Sequence, residues 1–252
     1  VSSDLGDPVV RDRLVLALDV ASLEEAVELS KKLRPFFSTV KVGLELFAAE
    51  GPLAVDTLLD DGFAVFLDLK LHDIPNTVRR AARCIGALGV SYATVHAAGG
   101  MPMLTAAVEG FEEGWELAVA NGHPAPSSGT AGILAVTVLT SEPDAGADLV
   151  GARASLSTLA GCLGIVCAAS DLEVVAARAP GLLTVVPGIR LLGSSEDDQA
   201  RAASPSSAVR AGAGLLVVGR TVTGAQSPEQ AAMQLTAEVA ACLVAGPATN
   251  GA

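Results

Sequence analysis

Phe63-Ala-Val-Phe-Leu-Asp-Leu-Lys70, followed by Leu71-His-Asp-Ile-Pro75-Asn-Thr77, is the stretch on which the fold turns. Its first half is short, apolar and rich in aromatic and branched side chains, which reads as a buried strand. Asp61-Gly62 breaks the chain just before it. Pro75 suits the first turn of a helix, where its missing N–H costs little. The stretch is therefore one β-then-α unit, with its charges gathered where the strand ends.

The same unit recurs in both directions. Upstream, residues 14–20 form a first strand. Ser22 then N-caps a helix, with Glu25 three residues later completing a capping-box pattern, and that helix ends near Pro35. Residues 39–44 form the second strand and 45–60 the second helix. Downstream, strands are expected at 91–96, 131–139, 165–168, 183–186 and 215–218. Helices are expected at 101–121, 148–163, 171–179, 205–211 and 228–244. A polar loop, 122–130, and a long polar segment, 191–204, interrupt the pattern without a change of composition. Eight β-then-α units predict an α/β fold with a parallel sheet. They favour a single-domain (β/α)8 TIM barrel over residues 1–252, with 1–12 as an N-terminal extension and 246–252 as a frayed tail. A doubly wound open sheet carries the same alternation. One barrel commonly uses a chain of this length.

Composition narrows the function. Half of the 252 residues are hydrophobic, 17% are charged and only 3% are aromatic. The core must then be aliphatic, and the chain can bury enough of it to fold. Lys and Arg number 16 against 28 Asp and Glu, a net charge of −12. That balance disfavours a nucleic-acid or anionic-membrane binder, while a few local cations can still hold a small anionic substrate. Cys84, Cys162, Cys167 and Cys242 fit no zinc spacing and read as buried, reduced thiols of a cytoplasmic protein. Residues 1–13 are too charged for a signal peptide, and apolar runs such as 133–139 are too short to span a bilayer.

In a barrel of this type the active site lies at the C-terminal ends of the strands. The polar residues expected there are Asp19, Lys41, Asp68, Lys70, His96, Thr140, Ser141, Arg190, Gly219 and Arg220. Asp68 and Lys70 are two apart, so both point to one face of their strand. With Lys41 from the neighbouring strand and Asp73 just past the strand end, four charges of alternating sign can converge on one cavity. A structural ion-pair network at the rim is the alternative; a charge-poor chain favours function. Gly188-Ile189-Arg190 and Gly219-Arg220 follow strands seven and eight, where such barrels often hold a phosphate. His72, His96 and His123 lack metal-ligand spacing. His72 and His96 read as hydrogen-bonded supports, His123 as a solvated loop residue. No dinucleotide fingerprint, P-loop or Ser-His-Asp arrangement is present.

The ten residues Asp68-Leu-Lys-Leu-His-Asp-Ile-Pro-Asn-Thr77 resemble the signature of the orotidine 5′-monophosphate decarboxylase family, bacterial type. The resemblance continues through Leu16-Ala-Leu-Asp19, Val40-Lys-Val-Gly43, Val95-His-Ala-Ala-Gly-Gly100, Val136-Thr-Val-Leu-Thr-Ser141, Pro187-Gly-Ile-Arg190, Asp198-Gln199 and Val218-Gly-Arg220. It covers nearly the whole chain. It implies decarboxylation of orotidine 5′-phosphate to UMP, the last step of de novo pyrimidine biosynthesis, without metal or organic cofactor. Lys70 resembles the proton donor to C6 of the pyrimidine, flanked by Asp68 and Asp73, with Lys41 completing the charge network. Asp19 and Lys41 are similar to ribose contacts, and Thr140 to the pyrimidine contact. Arg190, Gln199, Gly219 and Arg220 resemble the phosphate grip, Gln199 on a loop that closes over the nucleotide. The resemblance also implies a homodimer in which Asp73, Ile74 and Thr77 reach the partner's site.

Loss of CO₂ from this pyrimidine leaves a carbanion at C6 without an ordinary electron sink. A fixed ammonium beside C6 stabilises that charge and then protonates it. Metal-dependent relatives, 3-keto-L-gulonate 6-phosphate decarboxylase and hexulose-6-phosphate synthase, share the D-x-K-x-x-D strand. In them an acidic metal ligand is expected on strand two, where this chain has Lys41. A non-catalytic phosphate-binding barrel is expected to have lost Lys70 or a flanking acid.

Overall fold

The computed structural model describes residues 7–123, 130–139, 146–191 and 202–245. In chain order its elements are α1 (Pro8–Arg11), β1 (Leu14–Leu18), α2 (Leu23–Leu33), β2 (Thr39–Val42), α3 (Leu44–Glu50), α4 (Pro52–Asp60), β3 (Ala64–Leu71), α5 (Pro75–Gly86), β4 (Tyr92–His96), α6 (Gly100–Ala120), β5 (Gly132–Val136), α7 (Ala147–Leu159), β6 (Gly164–Val166), α8 (Leu172–Arg178), β7 (Leu183–Val186), α9 (Pro205–Arg210), β8 (Leu215–Val218), α10 (Arg220–Thr223) and α11 (Pro228–Ala245). The eight strands are parallel, pair in sequence order and close β8 onto β1. This is the expected (β/α)8 barrel, and it excludes the open sheet.

Local chemistry explains where the elements begin and end. Ser22 caps α2 by accepting the Glu25 N–H at 3.3 Å. Pro75 occupies the first turn of α5. The helix expected over 45–60 is two helices, because Gly51-Pro52 cannot lie inside one. Pro52 has no N–H to give, and Gly51 turns the chain at φ 62° while donating to the Phe47 carbonyl. Within residues 1–12, read as an extension, Pro8–Arg11 folds as α1 and buries Val10. After β8 a further short helix, α10, lies between the expected strand at 215–218 and the expected helix at 228–244.

Strand residues alternate between two cores, as the pleat requires. Leu14, Leu16 and Leu18 of β1 face the helices and join the larger cluster with Ala26 and Leu33 of α2. Val15 and Ala17 face inward and join Phe66, Tyr92, Leu134, Val185, Leu215 and Val217 in the smaller cluster that fills the barrel. There Phe66 meets Tyr92 edge-on, ring centres 6.1 Å apart. Outside, α5 and α6 approach closely through glycines. A β-carbon at Gly110 or Gly114 would lie 2.2 or 2.0 Å from the carbonyl oxygens of Arg79 or Arg83. Among the described residues no helix is long and apolar enough to cross a membrane.

Candidate active site

The inward-facing alternation that fills the barrel also builds the site. Continuing the inward series by two residues toward the C-terminal mouth brings in charged or hydrogen-bonding side chains, or glycine at β8. Val15 and Ala17 lead to Asp19, Thr39 to Lys41, Phe66 to Asp68, Tyr92 to Thr94, and Val217 to Gly219. A cavity of about 260 Å³ opens above this layer. Asp19, Lys41, Asp68, Lys70, Arg190, Gly219 and Arg220 all line it. Its floor is Phe66 and Val217, and Pro187 and Gly188 form part of its wall.

Asp68 stands at the centre of the charges. Its Oδ2 lies 2.7 Å from Lys70 Nζ and 3.7 Å from Lys41 Nζ. Lys41 Nζ also meets Asp19 Oδ1 at 2.9 Å. The Lys41 side chain is 10% exposed and that of Asp68 13% exposed, so these charges are largely withdrawn from water. Burial alone would push the Asp68 carboxyl up. The charges of Lys41 and Lys70, with hydrogen bonds from Lys70 and Thr94, outweigh it and hold the carboxyl below its ordinary range. Gly43 makes the Lys41–Asp19 pair possible, since a β-carbon there would lie 2.9 Å from Asp19 Oδ1 and 3.1 Å from Lys41 Nζ.

On the opposite wall, β7 runs into Pro187-Gly188, where Gly188 takes φ 75°, a turn that favours glycine. The chain then pairs Ile189 with Ala203, and the Arg190 N–H donates to the Ala203 carbonyl at 2.9 Å. This fixes the Arg190 backbone beside the cavity. Gly219 precedes α10, which begins with Arg220. The two arginines and the two glycines thus line the same cavity as the charges, with Gly219 next to Asp19 because β8 pairs with β1.

A divalent cation fits this donor set poorly. Both carboxylates in the cavity, Asp19 and Asp68, already face Lys41, and a metal placed between them would meet its ammonium.

Three expected residues fall elsewhere. Asp73, Ile74 and Thr77 do not line the cavity of their own chain. All three are exposed, Ile74 at 67%. The Asp73 side chain accepts from the Ile74 N–H. The four-charge convergence read from spacing is therefore corrected within one chain to Lys41, Asp68 and Lys70, joined by Asp19. Thr140, Ser141, Asp198 and Gln199 lie outside the described residues. The His72 and His96 rings sit 5.6 Å apart near the strand ends but do not line the cavity.

Two other readings need correction. His123 is half-buried, its ring against Gly89 at the opposite end of the barrel, and so is not a solvated loop residue. Cys162 and Cys167 are buried, and burial pushes the Cys162 thiol up to about 12. Cys84, however, is exposed and Cys242 intermediate. An apolar helical neighbourhood does not say which face a side chain takes. Sequence reasoning also passed over Thr94 and Gly43, although the inward alternation Tyr92-Thr94-His96 carried a signal for the first.

Comparison with known proteins gives one answer. The model of the orotidine 5′-phosphate decarboxylase / HUMPS family matches residues 12–235. The orotidine 5′-phosphate decarboxylase of Anaeromyxobacter dehalogenans is 45% identical over 237 residues, 90% of this chain and 97% of the relative. That of Lactiplantibacillus plantarum is 42% identical over 238 residues, 89% of this chain and 97% of the relative. Among solved structures, orotidine 5′-phosphate decarboxylase from Lactobacillus acidophilus superposes with a TM-score of 0.74 at 32% identity. The match covers 90% of this chain and 99% of that one.

Proposed function

The chain belongs to the orotidine 5′-phosphate decarboxylase / HUMPS family, and from that membership we infer how its cavity divides the work. The activity is decarboxylation of orotidine 5′-phosphate to UMP in pyrimidine biosynthesis, a carboxy-lyase reaction. The observation that carries the finer reading is the Asp68 carboxylate held between two ammoniums, Lys41 and Lys70, opposite the arginine-bearing loops.

In this reading the C6–carboxylate bond breaks, CO₂ departs and the electron pair stays on C6. The Lys70 ammonium beside C6 stabilises the developing charge and then transfers one proton to it. Asp68 holds the Lys70 ammonium, and Lys41 in turn faces Asp68, before the reaction begins, so little reorganisation is needed as charge develops. Asp19 and Lys41 hold the ribose. Arg190, Gly219 and Arg220 hold the phosphate, joined by Gln199, while Thr140 meets the pyrimidine. The phosphate is remote from the broken bond, so its binding energy serves positioning. None of the four cysteines is joined in a disulfide, which suits a reducing, cytoplasmic compartment.

An ultraviolet assay with orotidine 5′-phosphate, with and without EDTA, tests this reading. Turnover is expected without added metal and unchanged by the chelator, because Lys41 stands where a cation would bind. Complete inhibition by EDTA, reversed by Mg²⁺, would instead favour the metal-dependent branch.

Exposure of Asp73, Ile74 and Thr77 on their own chain supports a homodimer in which they serve the second copy's cavity. Lys70→Ala and Asp73→Asn homodimers are then each expected to be nearly inactive. In a mixed dimer one cavity inherits both defects, whereas the other takes Lys70 from one chain and Asp73 from the other. Random exchange of equal amounts makes roughly half of the dimers mixed, so activity should recover to about a quarter of wild type. Exchange is confirmed by mass. Mixed dimers as inactive as their parents would show that Asp73 does not cross the interface.

A further inference from the structure

β3 and β4 run in register as far as Leu67 opposite Ala93 and resume with Leu71 opposite Val95. Between those pairs β3 has three residues, Asp68, Leu69 and Lys70, where β4 has only Thr94. An excess of this kind bulges the longer strand and takes backbone groups out of the ladder. The strain falls on Lys70. At φ 51° it is the one non-glycine residue with positive φ among the described residues, a conformation that crowds its β-carbon.

One hydroxyl answers both consequences. The Lys70 backbone N–H donates to Thr94 Oγ1 at 2.9 Å. The same hydroxyl donates to Asp68 Oδ1, also at 2.9 Å. The other Asp68 oxygen, Oδ2, receives Lys70 Nζ. Thr94 is 1% exposed, so water does not compete for these bonds. A hydroxyl can donate once while accepting, whereas valine or alanine can do neither.

We infer that Thr94 is a positioning residue for the reaction. Its hydroxyl holds the Lys70 backbone in its left-handed bend and turns the Asp68 carboxylate toward the Lys70 ammonium. This deepens the reading of Lys70 as proton donor and rests on it. Small displacements of a reacting group weaken both proximity and preorganised electrostatics, so a group that never touches substrate can govern the rate. The effect belongs to the chemical step, because the phosphate-gripping wall is built from other elements.

The test compares Thr94→Val, which keeps the shape and loses the hydroxyl, with Thr94→Ser, which keeps the hydroxyl. Thr94→Val should lower kcat roughly ten- to a hundredfold, the worth of a hydrogen bond to a charged group. KM and the Kd for UMP should stay within about twofold, and Thr94→Ser should restore kcat to within about threefold. Loss of the bond that favours the Asp68 carboxylate should also move the acid limb of the kcat–pH profile to higher pH in Thr94→Val but not in Thr94→Ser. Thr94→Ala provides a second hydroxyl-free variant, to be compared with serine in the same way should valine not fold. A kcat near wild type without the hydroxyl would overturn the inference. So would equal loss of UMP affinity, or a serine variant no better than valine. Lys70→Ala is assayed alongside. If it is inactive while Thr94→Val is normal, only the role of Thr94 fails. If it retains turnover, the reading of Lys70 fails and this inference with it.

Discussion

Lys70→Ala is expected to lose at least about 10⁴-fold in kcat while remaining folded and binding UMP within about tenfold of wild type. Two losses add. The ammonium that faces the developing C6 charge disappears, and so does the proton that quenches it. The size of the effect follows from the surroundings. Lys70 Nζ is bonded at 2.7 Å to a carboxylate that is itself 13% exposed, with Lys41 Nζ 3.7 Å from the same oxygen. The Lys70 side chain is itself 30% exposed, so its charge acts most strongly once a bound substrate has displaced water from the cavity. Ground-state affinity should survive, because in the proposed reading the phosphate is gripped by Arg190, Gly219 and Arg220 rather than by Lys70. Steady-state kinetics and a UMP titration of the same preparation check both halves. Near-normal kcat would remove Lys70 from the chemistry.

Arg220→Ala is expected to cost roughly 30- to 5,000-fold in kcat/KM for orotidine 5′-phosphate, the range for removing one partner of a charge-assisted pair. Activity toward orotidine, which lacks the phosphate, should change far less. The contrast follows from position. Arg220 opens α10 after Gly219 and β8, a strand that does not neighbour β3, which carries Asp68 and Lys70. As a phosphate grip, the proposed role, it would act on the remote bond only through the binding energy that seats the nucleotide. Equal losses with both substrates would place Arg220 in the charge network rather than at the phosphate.

Much of this architecture was legible in the sequence because it depends on local pattern. β7 and β8 fall where their apolar runs predict, at Leu183–Val186 and Leu215–Val218. Asp19, Lys41 and Asp68, which end the inward series of β1, β2 and β3, and Gly219 after β8 line the cavity as strand alternation requires. What escaped depends on how strands and helices meet. The role of Thr94 follows from the register of β4 against β3, and the left-handed Lys70 from three residues facing one. No periodicity within either strand announces that mismatch. Spacing alone put Asp73 in its own chain's cavity, which the turn into α5 prevents; the resemblance, by contrast, already implied that Asp73 serves a second copy. The break at Gly51-Pro52 is visible as a dipeptide, and the single helix expected over 45–60 takes no account of it.

The central claim is that Lys70 exchanges a proton with C6, and microscopic reversibility makes this measurable without any decarboxylation. The group that protonates the C6 carbanion must also be the one that removes the C6 proton of bound UMP. UMP incubated with the enzyme in D₂O and followed by proton NMR should lose its C6 signal. Lys70→Ala should abolish that exchange along with turnover, and Arg220→Ala at saturating UMP should retain it. C6 exchange persisting undiminished in Lys70→Ala would contradict the account.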